Sequence, residues 1–233
     1  MSDFKTLKGL YIKYVSSDPS NLIEGQIWYN STSQTLKVAP SIGAWASSGN
    51  LGTARYNLYG CGTLTAGLVF GGRSPAKGET EEYNGTGWTE SGDLNTARQQ
   101  LAGFGTQTAA LGTGGYVDGS GWQTATEEYD GTSWSEVTDM PTATSQAGSA
   151  GPQTAALVFG GNTGSNVNTT LNYDGTTWSA NPATLATVRA SASSPGTAGS
   201  NTGAWYAGGY GTAVSNLTEE YNLAATARSV DTT

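Results

Sequence analysis

Three pairs of adjacent carboxylates are the first groups in this chain that could do chemistry: Glu81-Glu82, Glu127-Glu128 and Glu219-Glu220. Two carboxyl groups flanking one bond are the equipment of a glycoside hydrolase, one as acid and the other as base or nucleophile. Neighbours in a strand point to opposite faces, however, so a Glu-Glu dipeptide in a strand cannot bracket a single bond. Threefold repetition favours a structural or solvated role, and the unrepeated acids Glu79, Glu90 and Asp118 form no pair of their own. Other routes are closed by composition. The chain has no histidine, which excludes an imidazole proton shuttle, a His-based triad and His-ligated zinc. Cys61 is the only cysteine, so neither a disulfide nor a cysteine metal cluster can form within the chain. A nucleophilic thiol would need a basic partner, and Cys61 lies in a small-residue strand where other units carry Gly103 or alanine there or nearby, so a buried, inert thiol is expected. The expectation is therefore no enzyme: no catalytic residue, no metal and no cofactor.

Those carboxylates sit inside a repeat. Thr53-Ala-Arg55 recurs as Thr96-Ala-Arg98, Thr142-Ala-Thr144, Thr187-Val-Arg189 and Thr226-Ala-Arg228, at intervals of 43, 46, 45 and 39 residues. A glycine pair follows an apolar run at Gly71-Gly72, Gly114-Gly115, Gly160-Gly161 and Gly208-Gly209. A tyrosine comes next, at Tyr83, Tyr129, Tyr173 and Tyr221, and a tryptophan closes the unit at Trp88, Trp134 and Trp178, with Trp45 in the same register. Between tyrosine and tryptophan lie Asn84-Gly85, Asp130-Gly131 and Asp174-Gly175, the strongest short hairpin signal. Each unit thus reads as four short antiparallel strands: small-residue, apolar, tyrosine and tryptophan. A period near 45 residues with four strands per unit predicts the blade of a β-propeller. Small residues such as Ala102, Gly103, Ala147 and Ser149 suit crowded inner strands, and aromatics at fixed phase supply contacts between blades. Trp88, Trp134 and Trp178 are therefore read as packing residues rather than as sugar platforms, and an axial carboxylate ring holding a cation is the weaker reading of the glutamates.

Composition agrees. Glycine takes 34 of 233 positions, charged residues only 12%, and aromatics 10%. Few charges with many aromatics oppose disorder, and abundant Gly and Thr oppose helices. The net charge is −8. Residues 1–50 hold four basic and three acidic groups (4 − 3 = +1), the rest six and fifteen (6 − 15 = −9). Such a chain would repel a phosphate backbone, so no nucleic-acid partner is expected. No apolar run approaches the ~20 residues of a membrane span, and the N-terminus does not read as a secretory signal, so no membrane insertion is expected.

The Gly-Gly pair, the tyrosine strand and the turn into tryptophan, as in Tyr129-Asp-Gly-Thr-Ser-Trp134-Ser-Glu-Val-Thr-Asp-Met-Pro141, resemble the kelch repeat family over roughly residues 44–228. The resemblance implies a β-propeller. Kelch copper oxidases need histidine and a modified cysteine, so that activity is excluded here. The fourth unit lacks its own tryptophan strand, and ring closure by strands shared between the termini is expected, with the Trp45 segment or Ala227–Val230 as donor. Four blades are expected, or five if Leu10–Tyr14, Gln26–Tyr29 and Thr35–Val38 complete one.

Residues 1–43 differ from the repeats. Gly25-Gln-Ile-Trp-Tyr-Asn30, a Ser-Thr-Ser-Gln turn and Thr35-Leu-Lys-Val38 make a hairpin pattern, preceded by Ser17-Asp-Pro-Ser-Asn21. This stretch resembles the leader of tailed-bacteriophage fibre and virion structural proteins. It implies a docking or ring-closing hairpin over 1–43, before a propeller over 44–233.

The segments after each glycine pair vary while the frame around them hardly changes, and variable loops on a rigid scaffold are where recognition resides. They offer Tyr116, Trp122 and Tyr210 as aromatic faces and Arg73, Asp118, Asn162 and Asn166 as hydrogen-bonding groups, a mix suited to carbohydrate. The expectation is a non-enzymatic bacteriophage virion protein: a tail fibre, tail tip or capsid decoration at the particle surface. Its leader would meet other virion proteins or promote homo-oligomerisation, and its loops would bind a host-surface glycan or protein. The alternatives are a cellular kelch-type interaction scaffold and, least favoured, a glycan-cleaving enzyme.

Overall fold

The computed structural model describes residues 12–20, 26–39, 47–73, 75–196 and 200–223. Contacts divide the chain into two units, Met1–Ser47 and Ser48–Thr233. The Trp45 segment and Ala227–Val230, both named as closing strands, lie outside the described residues, as do Leu10 and Tyr11.

The first unit holds β1 (Lys13–Val15), β2 (Ile27–Asn30) and β3 (Thr35–Val38) in one sheet, with β1 parallel to β2 and β2–β3 the expected hairpin. Asp18 ties it together, accepting from Trp28 Nε1 at 2.9 Å, Asn30 Nδ2 at 2.8 Å and Lys37 Nζ at 2.6 Å. Tyr14 stacks on Tyr29 with ring centroids 4.9 Å apart.

The second unit is all-β, and no helix occurs among its described residues. β4 (Tyr59–Thr63), β5 (Ala66–Phe70), β6 (Thr80–Tyr83) and β7 (Trp88–Ser91) form the first sheet in chain order. The second comprises β8 (Ala102–Thr106), β9 (Ala109–Thr113), β12 (Thr126–Tyr129) and β13 (Trp134–Glu136). Between β9 and β12, a small hairpin of β10 (Tyr116–Val117) and β11 (Gly121–Trp122) projects from the loop. The third sheet is β14 (Gly148–Ala150), β15 (Ala156–Phe159), β16 (Thr170–Tyr173) and β17 (Trp178–Asn181). In the fourth, β18 (Gly203–Ala207) pairs with β19 (Thr218–Asn222). A bridge from Ser193 to Ala207 supplies the inner position of that sheet, and no outer strand flanks β19 among the described residues. Several small antiparallel sheets, each meandering in sequence order, are consistent with a β-propeller-like fold.

The tight turns follow from their chemistry. Asp130 Oδ1 accepts from the Thr132 and Ser133 amides, and Asn84 and Asp174 do the same in their own turns. Gly131 between them has φ 95°, which a side chain would oppose.

Three features bind one sheet to the next. Tyr129 and Tyr173 donate their hydroxyls to Glu82 and Glu128 of the preceding sheet, at 2.6 and 2.7 Å. Gln107 and Gln153 each reach back with Nε2 to two carbonyls of the preceding sheet. At the entry to each inner strand, Asn57, Gln100, Gln146 and Ser191 hold φ of 55–56° without being glycine. This conformation lets the Gln100, Gln146 and Ser191 amides donate to the carbonyls of Asn57, Gln100 and Gln146, a bond from unit to unit that offsets the strain.

The inner strands approach one another around one side chain. Tyr59, opposite small residues Ala102, Gly148 and Ser193 at the matching positions, places its hydroxyl 3.2 Å from Ser149 Oγ. A Cβ on Gly103 would come within 2.5 Å of the Tyr59 ring, and one on Gly196 within 2.6 Å of its hydroxyl. The crowding expected of these strands is thus imposed in part by one large side chain.

Candidate functional site

The carboxylate pairs resolve into two structural roles. The first glutamate of each pair meets the arginine of its own unit: Arg55 with Glu81 and Arg189 with Glu219, each at 2.5 Å, and Arg98 with Glu127. The second glutamate accepts the tyrosine hydroxyl of the next sheet, as Glu82 and Glu128 do. The unit that lacks the arginine, with Thr144, also lacks the glutamate, with Leu171. That covariation was visible in the sequence and passes unnoticed when each repeat landmark is read alone.

The tryptophans are packing residues in the same sense. Tyr83–Trp88, Tyr129–Trp134 and Tyr173–Trp178 repeat one geometry, with centroids 4.9, 5.1 and 4.8 Å apart and interplanar angles of 38–39°. Trp134, 5% exposed, lies 4.7 Å from the Phe70 ring and donates Nε1 to Thr80 Oγ1, both in the first sheet. Cys61 is partly buried, and loss of solvent pushes its thiol up to about 12. Among the described residues, no group of three or more acidic or cysteine side chains is placed to hold a metal ion.

The seven loop residues are brought together, and into two groups. Arg73, Tyr116, Asn162 and Tyr210 occupy one equivalent position, the residue after each glycine pair, where each bridges the start of its own inner strand at Tyr56, Gln99, Ser145 and Ala190. Successive loops then touch. Arg73 Nε lies 3.4 Å from Asp118 Oδ2, both side chains 43% exposed. A Cβ on Gly164 would meet the far edge of the Trp122 ring at 3.8 Å. Asn166 Nδ2 donates to the carbonyls of Tyr210 at 2.8 Å and Gly211 at 3.1 Å.

The two groups differ in what they leave free. Asn162 donates to Asn166 Oδ1 and accepts from the Gly164 amide, so both asparagines spend their amides on holding loops. Tyr210 is 53% exposed but gives its carbonyl, not its ring, to that network. In the other group, Tyr116 and Trp122 are register partners on the β10–β11 hairpin, with rings edge to face at 5.7 Å, and Trp122 is 40% exposed. Sequence reasoning missed Gln99 and Asn57 beside them. Gln99 is buried, accepts from Asn57 Nδ2 at 3.1 Å and donates to Asp118 Oδ1 at 3.3 Å. Its signal was modest: a lone glutamine where other units have Tyr56, Ser145 or Ala190.

A cavity of about 210 Å³ lies between the third and fourth sheets, lined by Phe159, Leu185, Trp205, Tyr206, Glu219 and Tyr221 among others. None of the seven loop residues lines it. No protein-family model matches this chain, and no curated protein matches it.

Proposed function

We propose that this chain is a kelch-like β-propeller of four blades, closed by strands shared between its termini, and that it serves as a non-enzymatic recognition module of a bacteriophage virion. One observation carries the reading. The repeated polar and aromatic residues are consumed in holding each unit together or in packing one sheet on the next, whereas unrepeated ones gather in contiguous loops. Repetition builds a frame, and the exceptions to it are what a ligand can read. A glycosidase reading has no support in the carboxylates, since Glu81, Glu127 and Glu219 already serve arginines and Glu82 and Glu128 serve tyrosines.

In this reading residues 1–43 are the docking piece, and residues 44–233 are the recognition domain. The described part of the first unit supports such a role. Tyr14, Ile27, Leu36 and Val38 are exposed on a sheet of three short strands, which leaves apolar surface for another subunit. Virion location on a tail fibre, tail tip or capsid decoration follows from the leader's resemblance. Host-surface glycan or protein binding follows from the loops.

The experiment is mass spectrometry of purified particles from the source, combined with a truncation that removes residues 1–40. The truncated chain should fold and stay out of particles. Its normal incorporation would refute the docking role, and absence of the intact chain from particles would refute the virion assignment.

A further inference from the structure

The loops do not offer one uniform surface. Asn162, Asn166 and Tyr210 are tied to each other, while the loops of the first and second sheets carry a polar network that occurs once. It runs from Asn57 through Gln99 to Asp118 and Arg73, with steps of 3.1, 3.3 and 3.4 Å. Gln99 is 1% exposed, and the Asp118 carboxylate can only accept, so the glutamine must present its NH₂ to Asp118 and its oxygen to Asn57. A buried amide thereby fixes the direction of an exposed carboxylate.

We propose that the binding site lies on the second sheet's loop hairpin, from Arg73 and Asp118 to Trp122, and takes a neutral pyranose with adjacent hydroxyls. The proposal rests on the reading of the loops as a recognition surface and narrows it. The free valences favour this ligand. An ionised carboxylate accepts about four hydrogen bonds, and among the described residues Asp118 receives one from Gln99 and the Arg73 contact. Arg73 turns its Nε toward Asp118 and leaves both terminal NH₂ groups without a partner there. A sugar hydroxyl set between them can accept from Arg73 and donate to Asp118 at once, and each bond is charge-assisted. Trp122 supplies the apolar platform. Tyr116 meets it edge to face and Gly164 lies beside its far edge, so little freedom is lost when a C–H face stacks on it. Since Arg73 is already faced by a carboxylate, an acidic sugar gains no uncompensated cation. A neutral one keeps both charges paired.

The test is an array of neutral and sialylated glycans probed with the full chain and with Trp122→Ala, Asp118→Asn and Tyr210→Ala, each variant first shown to unfold at the wild-type temperature. The wild type should bind neutral pyranose-bearing glycans. Trp122→Ala and Asp118→Asn should each weaken binding by about tenfold or more, and Tyr210→Ala by less than about twofold. Loss in Tyr210→Ala with Trp122→Ala unaffected would overturn the placement while leaving a glycan-binding loop surface intact. Selective binding of sialylated glycans would overturn the ligand class. If the wild type binds no glycan but captures a purified host-surface protein, the saccharide site falls and the recognition role survives; if it binds neither, both fall.

Discussion

The Arg98 guanidinium and the Glu127 carboxylate form an ion pair in which neither side chain has any contact with solvent. Arg98 also donates to the carbonyls of Thr96 and Gly112, yet its Nε finds no acceptor. Such a pair is costly to bury and costlier to break, because removing one partner strands the other charge. Arg98→Ala or Glu127→Ala should each lower the unfolding free energy by about 3–5 kcal/mol in urea denaturation. The double variant Arg98→Thr, Glu127→Leu copies the third unit, where Thr144 and Leu171 occupy these positions. It should recover most of that loss; a double variant no more stable than the singles would show that the charge pairing is not the source.

The two kinds of tryptophan should separate cleanly. Trp134→Ala empties a buried space against Phe70 and removes the bond to Thr80, so a loss of about 3–5 kcal/mol is expected. Trp122→Ala alters an exposed ring and should stay within about 0.5 kcal/mol of wild type. Thermal unfolding of both variants checks this, and comparable losses would contradict the division into frame and loop residues.

Burial, aided by donation to Glu82, pushes the Tyr129 hydroxyl up to about 12 from its ordinary 10. The native state then keeps a proton that the unfolded chain releases above pH 10. Stability is whole below pH 10 and falls as pH rises toward 12. Denaturant midpoints at pH 9, 10 and 11 should show this decline. Tyr129→Phe should make it shallower, and an unchanged slope would remove Tyr129 as the titrating group.

In the first unit, Lys37, then Asn30 and Trp28, hold the Asp18 carboxyl down to about 2. A depressed carboxylate stabilises above its unfolded value near 3.8 and loses that contribution as pH falls toward 2. The Trp28 indole N–H resonance should therefore hold its position to below pH 3. A shift centred near pH 4 would mean that Asp18 is not bound as described.

Much of the frame was legible because it repeats. Glycine pairs, Asx-Gly turns and phased aromatics are local signals, and the three complete sheets follow them strand by strand. The β10–β11 hairpin was not legible, since strands of two residues cannot show alternation, and Gly119 and Gly121 resemble ordinary loop glycines. Nor were the left-handed turns at Asn57, Gln100, Gln146 and Ser191, which carry no glycine to announce them. At the loops the residue types were readable but their loyalties were not. That Asn166 serves the Tyr210 backbone while Asp118 leans on Gln99 depends on neighbours some twenty to forty-five residues away.

Tyr59 has a consequence for how such an array can change. Its ring and hydroxyl take up room that Gly103, Ser149 and Gly196 concede from three other units, and no second side chain of that bulk would fit beside it. The units are therefore not interchangeable copies. Duplicating the first would set two phenols in competition for one berth, and deleting it would leave a hole where Gly103, Ser149 and Gly196 face it.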